Sequence, residues 1–197
     1  RVKTLHPKVH GGILARRGDP QHMAQLQLHG IGPIDLVCVN LYPFTDTVAK
    51  PNVTYDDAIE NIDIGGPTLM RAAAKNHDSV TVVSDPADYE AVLLAVQEGG
   101  ADLVLRRELA RKAFQHTANY DRAIAAWFSA GASSSEGAEG HALPDTVTLT
   151  LRKQHDLRYG ENPHQQAAYY TLTGTAEEPS VASAQQLGGK QLSFNNM

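Results

Sequence analysis

Residues 62–68, Ile-Asp-Ile-Gly-Gly-Pro-Thr, set a carboxylate directly before two glycines, a proline and a helix-like stretch. Glycines at a helix start leave backbone N–H groups bare, which makes a site for an anion or a polarised oxygen. Asp63 would face the same ligand. The same residues equally make an ordinary helix start with a capping acid. Lys75 closes the run Arg71-Ala-Ala-Ala-Lys75-Asn76-His77. A lysine at a helix C-terminus complements the helix dipole, and one with a poised charge transfers protons. A helix from Pro67 to Lys75 rises about 12 Å. Asp63 and Lys75 therefore meet one ligand only if the helix is short, the chain turns back, or long side chains converge.

Asn40-Leu-Tyr42-Pro-Phe44 follows an apolar run, and in parallel α/β sheets ligands lie outside the carboxyl ends of strands. Asn40 and Tyr42 sit where site residues belong, although a tyrosine there also closes a core. The opening stretch, Arg1-Val-Lys-Thr-Leu-His-Pro7 through His10-Gly-Gly12, combines cations, a hydroxyl and two histidines. His6 and His10 have the i, i+4 spacing of zinc ligands, but Pro7 intervenes and no His-Glu pair is present, so no metal is expected. Leu157-Arg-Tyr-Gly-Glu-Asn-Pro-His-Gln165 gathers arginine, tyrosine and histidine in a turn-forming stretch. Arg158 there either grips a phosphate bidentately or belongs to a polar turn anchored by Asn162-Pro163. No Walker loop, dinucleotide fingerprint or nucleophile elbow occurs.

Positioning these groups requires alternating elements. Residues 34–41 read as a strand buried on both faces, with Cys38 a small buried hydrophobe, and Ser79–Ser84 reads as a second strand. A helix is expected from an N-cap at Thr54 to Ile62, another from Pro67 to Lys75, and a third from Asp85-Pro86 to the stop at Gly99-Gly100. Residues 102–128 read as one long helix or as two, with a break near Thr117–Asn119. The alternation implies an α/β domain with a mainly parallel sheet. Residues 129–141 are small and polar, so a boundary falls between about 129 and 146. Beyond it Val147–Leu151 alternates like a strand, with Ala167–Leu172 as its partner.

Composition bounds the partners. The 197 residues carry a net charge of −5, one cysteine and no apolar run near the roughly 20 residues of a membrane helix. Neither nucleic acid nor membrane is an expected partner, and the lone cysteine suits a reducing compartment. Residues 1–17 hold five basic residues and no acid, against 12 basic and 22 acidic residues in the remainder. A basic stretch in an acidic chain suits a small anionic ligand, or is a solvated loop. The chain opens on Arg1 and ends at Met197 without a cap signal, and reads as an internal piece of a longer polypeptide.

Taken together, Arg-Val-Lys-Thr-Leu-His-Pro, Asn-Leu-Tyr-Pro-Phe, the Ile62–His77 run and Leu-Arg-Tyr-Gly-Glu-Asn-Pro-His-Gln closely resemble, in that order, the bifunctional purine-biosynthesis family of IMP cyclohydrolase and AICAR transformylase. The resemblance implies a methylglyoxal-synthase-like α/β cyclohydrolase domain over residues 1–130, a linker over 131–146, and the start of a cytidine-deaminase-like transformylase domain over 147–197. It implies nucleotide binding by Arg1, Val2, Lys3, Thr4, Val39, Asn40, Asp63 and Ile64, beside the Gly65-Gly66 backbone. It assigns proton transfer to Lys75, with Asp63, Lys3 and Tyr42 assisting, and AICAR binding to Arg158 and Tyr159. Cyclisation would need no cofactor, whereas formyl transfer would use 10-formyltetrahydrofolate as co-substrate. A cytoplasmic homodimer acting on AICAR, FAICAR and IMP is expected. The family's first strand and two nucleotide-holding loops would precede Arg1, and the Lys-His pair of formyl transfer would follow Met197. The competing class is a non-catalytic nucleotide sensor of the same fold, which would need the anion site but not Lys75 and Asp63 together; an interaction scaffold would bind no nucleotide.

Overall fold

Local capping sets most helix starts. In a computed structural model, which describes residues 4–132, 147–172 and 181–196, helix α1 (Pro7–Leu14) opens with proline at its first position. The His6 ring caps it, Nδ1 accepting from the Lys8 N–H at 3.1 Å. Asp19 caps α2 (Pro20–Leu28) in the same way. A reciprocal Thr54–Asp57 capping box opens α4 (Tyr55–Glu60), which follows strand β1 (Leu36–Cys38) and the short α3 (Phe44–Val48). Helix α5 runs Gly65–Lys75 and leads into β2 (Thr81–Val83). A single 3-10 turn at Pro86–Asp88 precedes α6 (Tyr89–Gln97), which ends at two glycines with positive φ, 107° and 125°. The long α7 (Leu103–Ala132) follows.

Strands β1 and β2 pair in parallel, Leu36 opposite Thr81 and Cys38 opposite Val83, and Val39 N–H extends the ladder to Val83 O at 2.9 Å. Helix α5 packs on α1, α7 and both strands. Its Met70, Ala73 and Ala74 are fully buried beside Val80 and Val82 of the sheet and Leu109 and Ala113 of α7. Three successive alanines, Ala72 to Ala74, let the elements around α5 approach closely, because each presents only a methyl group. A second contact set is aromatic. Phe44, 1% exposed, meets the rings of Tyr120 and Trp127 edge-on at 6.3 and 5.9 Å, and Tyr55 stacks on Trp127 at 5.2 Å, fixing α3 and α4 to the far half of α7.

Several expectations need correction. Strand β2 is buried throughout, but β1 is not: Val37 is buried while Leu36 and Cys38 are exposed, so one face of β1 is open and Cys38 is not a core residue. Helix α5 starts two residues before Pro67, which takes the third position, still within the turn where no N–H is needed. Helix α7 is one element of 30 residues without a break at Thr117–Asn119. The Thr117 hydroxyl bonds back to Phe114 O at 3.1 Å, and Asn119 links Gln115 and Arg122 side chains across successive turns. Residues 129–132 thus extend the helix rather than open a linker; the remaining linker residues, 133–146, lie outside the described residues. Of the basic stretch, Arg17 is consumed internally, donating to Ala15 O, Ile34 O and Asp35, while Arg16 pairs with Asp19 at 2.8 Å.

The residues divide between two compact units, one on either side of residue 138. In the second, β3 (Leu151–Asp156) pairs antiparallel with β4 (Ala168–Leu172), with an irregularity between Lys153 and His155. The expected partner segment is therefore right. Its mate, however, starts at Leu151 rather than Val147, because the register sets Leu151 opposite Leu172, the last residue of β4.

Asn76 locks the first unit together. Its buried amide donates to Ile13 O at 2.7 Å and Ala15 O at 3.0 Å, tying the end of α5 to the end of α1. Asn76→Ala should cost about 1–3 kcal/mol, the range for leaving a buried polar group unpaired. Asn76→Asp should cost more, since it turns an acceptor against two carbonyls. Urea unfolding midpoints of the two variants check the order.

Candidate active site at the carboxyl ends of the strands

The chain leaving β1 turns at Asn40, whose Oδ1 accepts from the Leu41 N–H at 2.8 Å and lies 3.1 Å from His116 Nε2 of α7. Two residues on, the Tyr42 N–H donates to Asp63 Oδ2 at 3.3 Å, and Asp63 Oδ1 accepts from the Gly66 N–H at 2.9 Å. One carboxylate therefore caps α5 and holds the loop after β1. The Asp63 N–H donates to the Tyr120 hydroxyl at 2.7 Å, which in turn donates to Asn61 O at 3.2 Å. Burial raises the Tyr120 phenol above its ordinary value, so it stays protonated and serves both partners.

The glycines are explained by proximity. A side-chain carbon at Gly65 would fall 2.9 Å from the Thr4 hydroxyl, and one at Gly66 would fall 2.6 Å from Asp63 Oδ2 and 2.9 Å from Leu41. Thr4, Tyr42, Asp63, Gly65 and Gly66 are thus brought together. Ile64 stands at the N-cap position of α5, its carbonyl accepting from the Thr68 hydroxyl at 2.6 Å. Val39 sits at the end of the strand ladder. Arg1, Val2 and Lys3 lie outside the described residues, immediately before Thr4.

Two cavities open along this edge. One, of about 330 Å³, lies among Asn40–Asp46 and the α7 residues His116, Asn119 and Tyr120. The other, of about 440 Å³, lies between Ser84–Pro86 and α7, and shares Asn40, His116 and Asn119 with the first. The cations along the second are already matched: Lys112 contacts Asp88 at 2.5 Å and Arg111 contacts Glu108 at 2.6 Å. His116, Asn119 and Tyr120 escaped sequence reasoning. Their signal was the polar run Gln115-His-Thr-Ala-Asn119 interrupting the apolar stripe of a helix.

Lys75 is not brought to Asp63. It is the last residue of α5, exposed, at the opposite end of an 11-residue helix that rises about 16 Å. None of the three conditions for convergence is met by the helix itself. In the second unit the Arg158 guanidinium lies over the Tyr159 ring at 4.9 Å and reaches its hydroxyl at 3.2 Å. Hydrogen bonds from Ser193 and Arg158 hold the Tyr159 phenol below its ordinary value. The turn is closed by Gly160 N–H on Gln165 O at 2.8 Å and by Asn162 N–H on Gln165 Oε1 at 2.8 Å. Among the described residues no group of histidines, cysteines and carboxylates could hold a metal, and no helix is long and apolar enough to cross a membrane.

A parallel strand pair flanked by helices, with a glycine-opened helix facing the strand ends, defines an MGS-like domain, and residues 2–68 match the model of that domain. Residues 73–197 match the model described as AICARFT/IMPCHase bienzyme, and the chain belongs to that family. The break between the two matches falls within α5. Among relatives, the bifunctional purine biosynthesis protein PurH of Bacillus subtilis (strain 168) is 54% identical and that of Magnetococcus marinus 56%, each over the whole chain. The chain spans 37% of the length of these relatives. A solved structure described as the crystal structure of ForH matches 65% of this chain and 67% of its own at 39% identity, with a TM-score of 0.55.

The crowding at Gly66 gives a test. In an unhindered helix, Gly→Ala gains up to about 1 kcal/mol. At Gly66 the new methyl meets a carboxylate, and Gly66→Ala should instead destabilise by about 1–3 kcal/mol, read as a lower chemical-unfolding midpoint.

Proposed function

We propose that the complete protein carries out the last two steps of purine nucleotide biosynthesis, formyl transfer from 10-formyltetrahydrofolate to AICAR and ring closure of FAICAR to IMP, and that this chain supplies mainly the ring-closing site. Family membership and the gathering of Thr4, Tyr42, Asp63 and Gly65-Gly66 support this reading. On it, residues 1–130 form most of the cyclohydrolase domain, 131–146 connect, and 147–197 begin the transformylase domain, with α7 continuing to Ala132.

Ring closure joins the carboxamide nitrogen of FAICAR to its formyl carbon. The nitrogen gives up one proton, the former carbonyl oxygen gains two and leaves as water, and the formamido nitrogen loses its proton to form the C=N bond. An amide nitrogen is a weak nucleophile, so positioning and proton transfer carry most of the acceleration. Arg1, Val2, Lys3, Thr4, Val39, Asn40 and Ile64 would hold the nucleotide together with backbone N–H groups at the start of α5. Asp63 would orient the carboxamide. Lys3 and Tyr42 would stabilise the negative oxygen, and Lys75 would act as general acid and base. The distance between the ends of α5 makes Lys75 the assignment most directly at stake. Cyclisation on this scheme uses no cofactor. The complete protein would be a cytoplasmic homodimer acting on small nucleotides.

Lys75→Ala in the complete protein should slow FAICAR cyclisation by about 10²–10⁴-fold, the usual contribution of a positioned proton donor, and leave formyl transfer nearly unchanged. Unaltered cyclisation would remove Lys75 from the mechanism, and IMP binding without FAICAR turnover in the wild type would make the protein a sensor. Arg158→Ala should weaken AICAR binding roughly 10- to 150-fold, as expected for a lost hydrogen bond to a charged group. Arg158→Lys should recover part of this, because lysine lacks the planar fork. Steady-state kinetics of both reactions on each variant separate the two sites; a collapse of cyclisation in Arg158→Ala would place Arg158 in the first.

A further inference from the structure

We infer that α7 carries two positioning residues for the ring-closing site, Tyr120 holding Asp63 and His116 holding Asn40. The inference rests on the function proposed above. His116 and Tyr120 are four residues apart, so they stand on one face of α7, one turn above the other. Each reaches a different segment of the site. The Tyr120 hydroxyl accepts from the Asp63 N–H at 2.7 Å and donates to Asn61 O at 3.2 Å, fixing the backbone on both sides of Ile62. His116 Nε2, in the tautomer that carries its proton there, donates to Asn40 Oδ1 at 3.1 Å.

These bonds settle what the two site residues present. Asn40 Oδ1 is taken by the Leu41 N–H and by His116. Its Nδ2 amide has no hydrogen-bond partner among the described residues and is the donor left for a ligand in the adjoining cavity of about 330 Å³, which both His116 and Tyr120 line. Asp63 has its carboxylate held by the Tyr42 and Gly66 N–H groups. Among the described residues only the Tyr120 hydroxyl holds its N–H, so Tyr120 sets the backbone from which that carboxylate projects. The ring of Tyr120 is independently anchored edge-on against Phe44 at 6.3 Å, so removing the hydroxyl leaves the packing in place.

The two contacts predict different kinetic signatures. Tyr120→Phe loosens the group that orients the reacting carboxamide and should lower kcat for FAICAR cyclisation about 10- to 100-fold, the scale of a small misplacement in a reacting pair, with KM within about twofold. His116→Ala frees a nucleotide-gripping amide and should raise KM about 3- to 10-fold, the worth of one neutral hydrogen bond, with kcat little changed. His116→Gln, which keeps a side-chain donor, should return KM to within about twofold of wild type. The assay uses the complete protein, with IMP affinity measured alongside turnover. Loss of kcat and rise of KM together in both substitutions, or values within twofold of wild type, would overturn the inference while the proposed function stands. A wild type that neither binds IMP nor cyclises FAICAR would overturn both.

Discussion

The Asp63 carboxylate is shared between two backbone N–H groups, one from Tyr42 after β1 and one from Gly66 inside α5. This pairing couples the strand end to the helix start. The Gly66 N–H lies in the first turn of a helix, where donors have no partner within the helix, and the carboxylate supplies one. With the carboxylate in place, the loop carrying Asn40 and Tyr42 takes its position from α5, and α5 takes its own from the core. The Asp63 backbone, bonded to Tyr120, then passes the constraint to α7. Three elements distant in sequence thereby define one edge of the domain.

The core makes that edge rigid. Helix α5 is buried along Met70 and Ala72–Ala74, against the sheet, α1 and α7. Alanine there serves closeness of approach rather than buried area, and no rotamer freedom is lost on packing. At the far end of α5, Asn76 fastens α1, and Arg106 of α7 reaches the carbonyls of His77, Asp78 and Ala101. The end of α5 that bears Lys75 is thus anchored as firmly as the end that faces the strand termini. A rigid helix held at both ends keeps its terminal groups apart. For Lys75 and Asp63 to serve one ligand, the ligand or the long lysine side chain must span that separation.

Much of this was legible in the sequence because its signals are local. The Thr54 cap, the paired glycines after α6, the parallel strand pair and the glycine-opened α5 each follow from a few adjacent residues. What escaped was tertiary. Nothing in the period of α7 distinguishes Arg106, which staples a loop, from Arg111, which faces solvent with Glu108. Cys38 read as core because its neighbours are apolar, yet burial of a strand face depends on what packs against it, and one face of β1 is open. The unbroken α7 shows the same limit from the other side: Thr117 and Asn119 look like helix breakers until their side chains are seen bonding within the helix. Of the site, the motifs named the strand end and the start of α5, while the opposing wall on α7 showed only as a polar interruption of a helix stripe, which does not say what the wall faces.

The capping and functional readings of Asp63 do not exclude each other. An ionised carboxylate offers about four lone-pair positions, and the Tyr42 and Gly66 N–H groups occupy two. On the proposed function the remaining positions would meet the ligand's amide, and the two bonds already made fix the plane of the carboxylate. That fixation is what a catalytic group requires, since an orienting carboxylate that rotates freely gives back as entropy what it gains in contact. It also accounts for the glycine. A methyl group at position 66 would stand 2.6 Å from Oδ2, so it would displace the carboxylate from the plane its two N–H partners define. Asp63 and Gly66 are therefore one structural unit, in which the absence of a side chain at one position sets the direction of the side chain at the other.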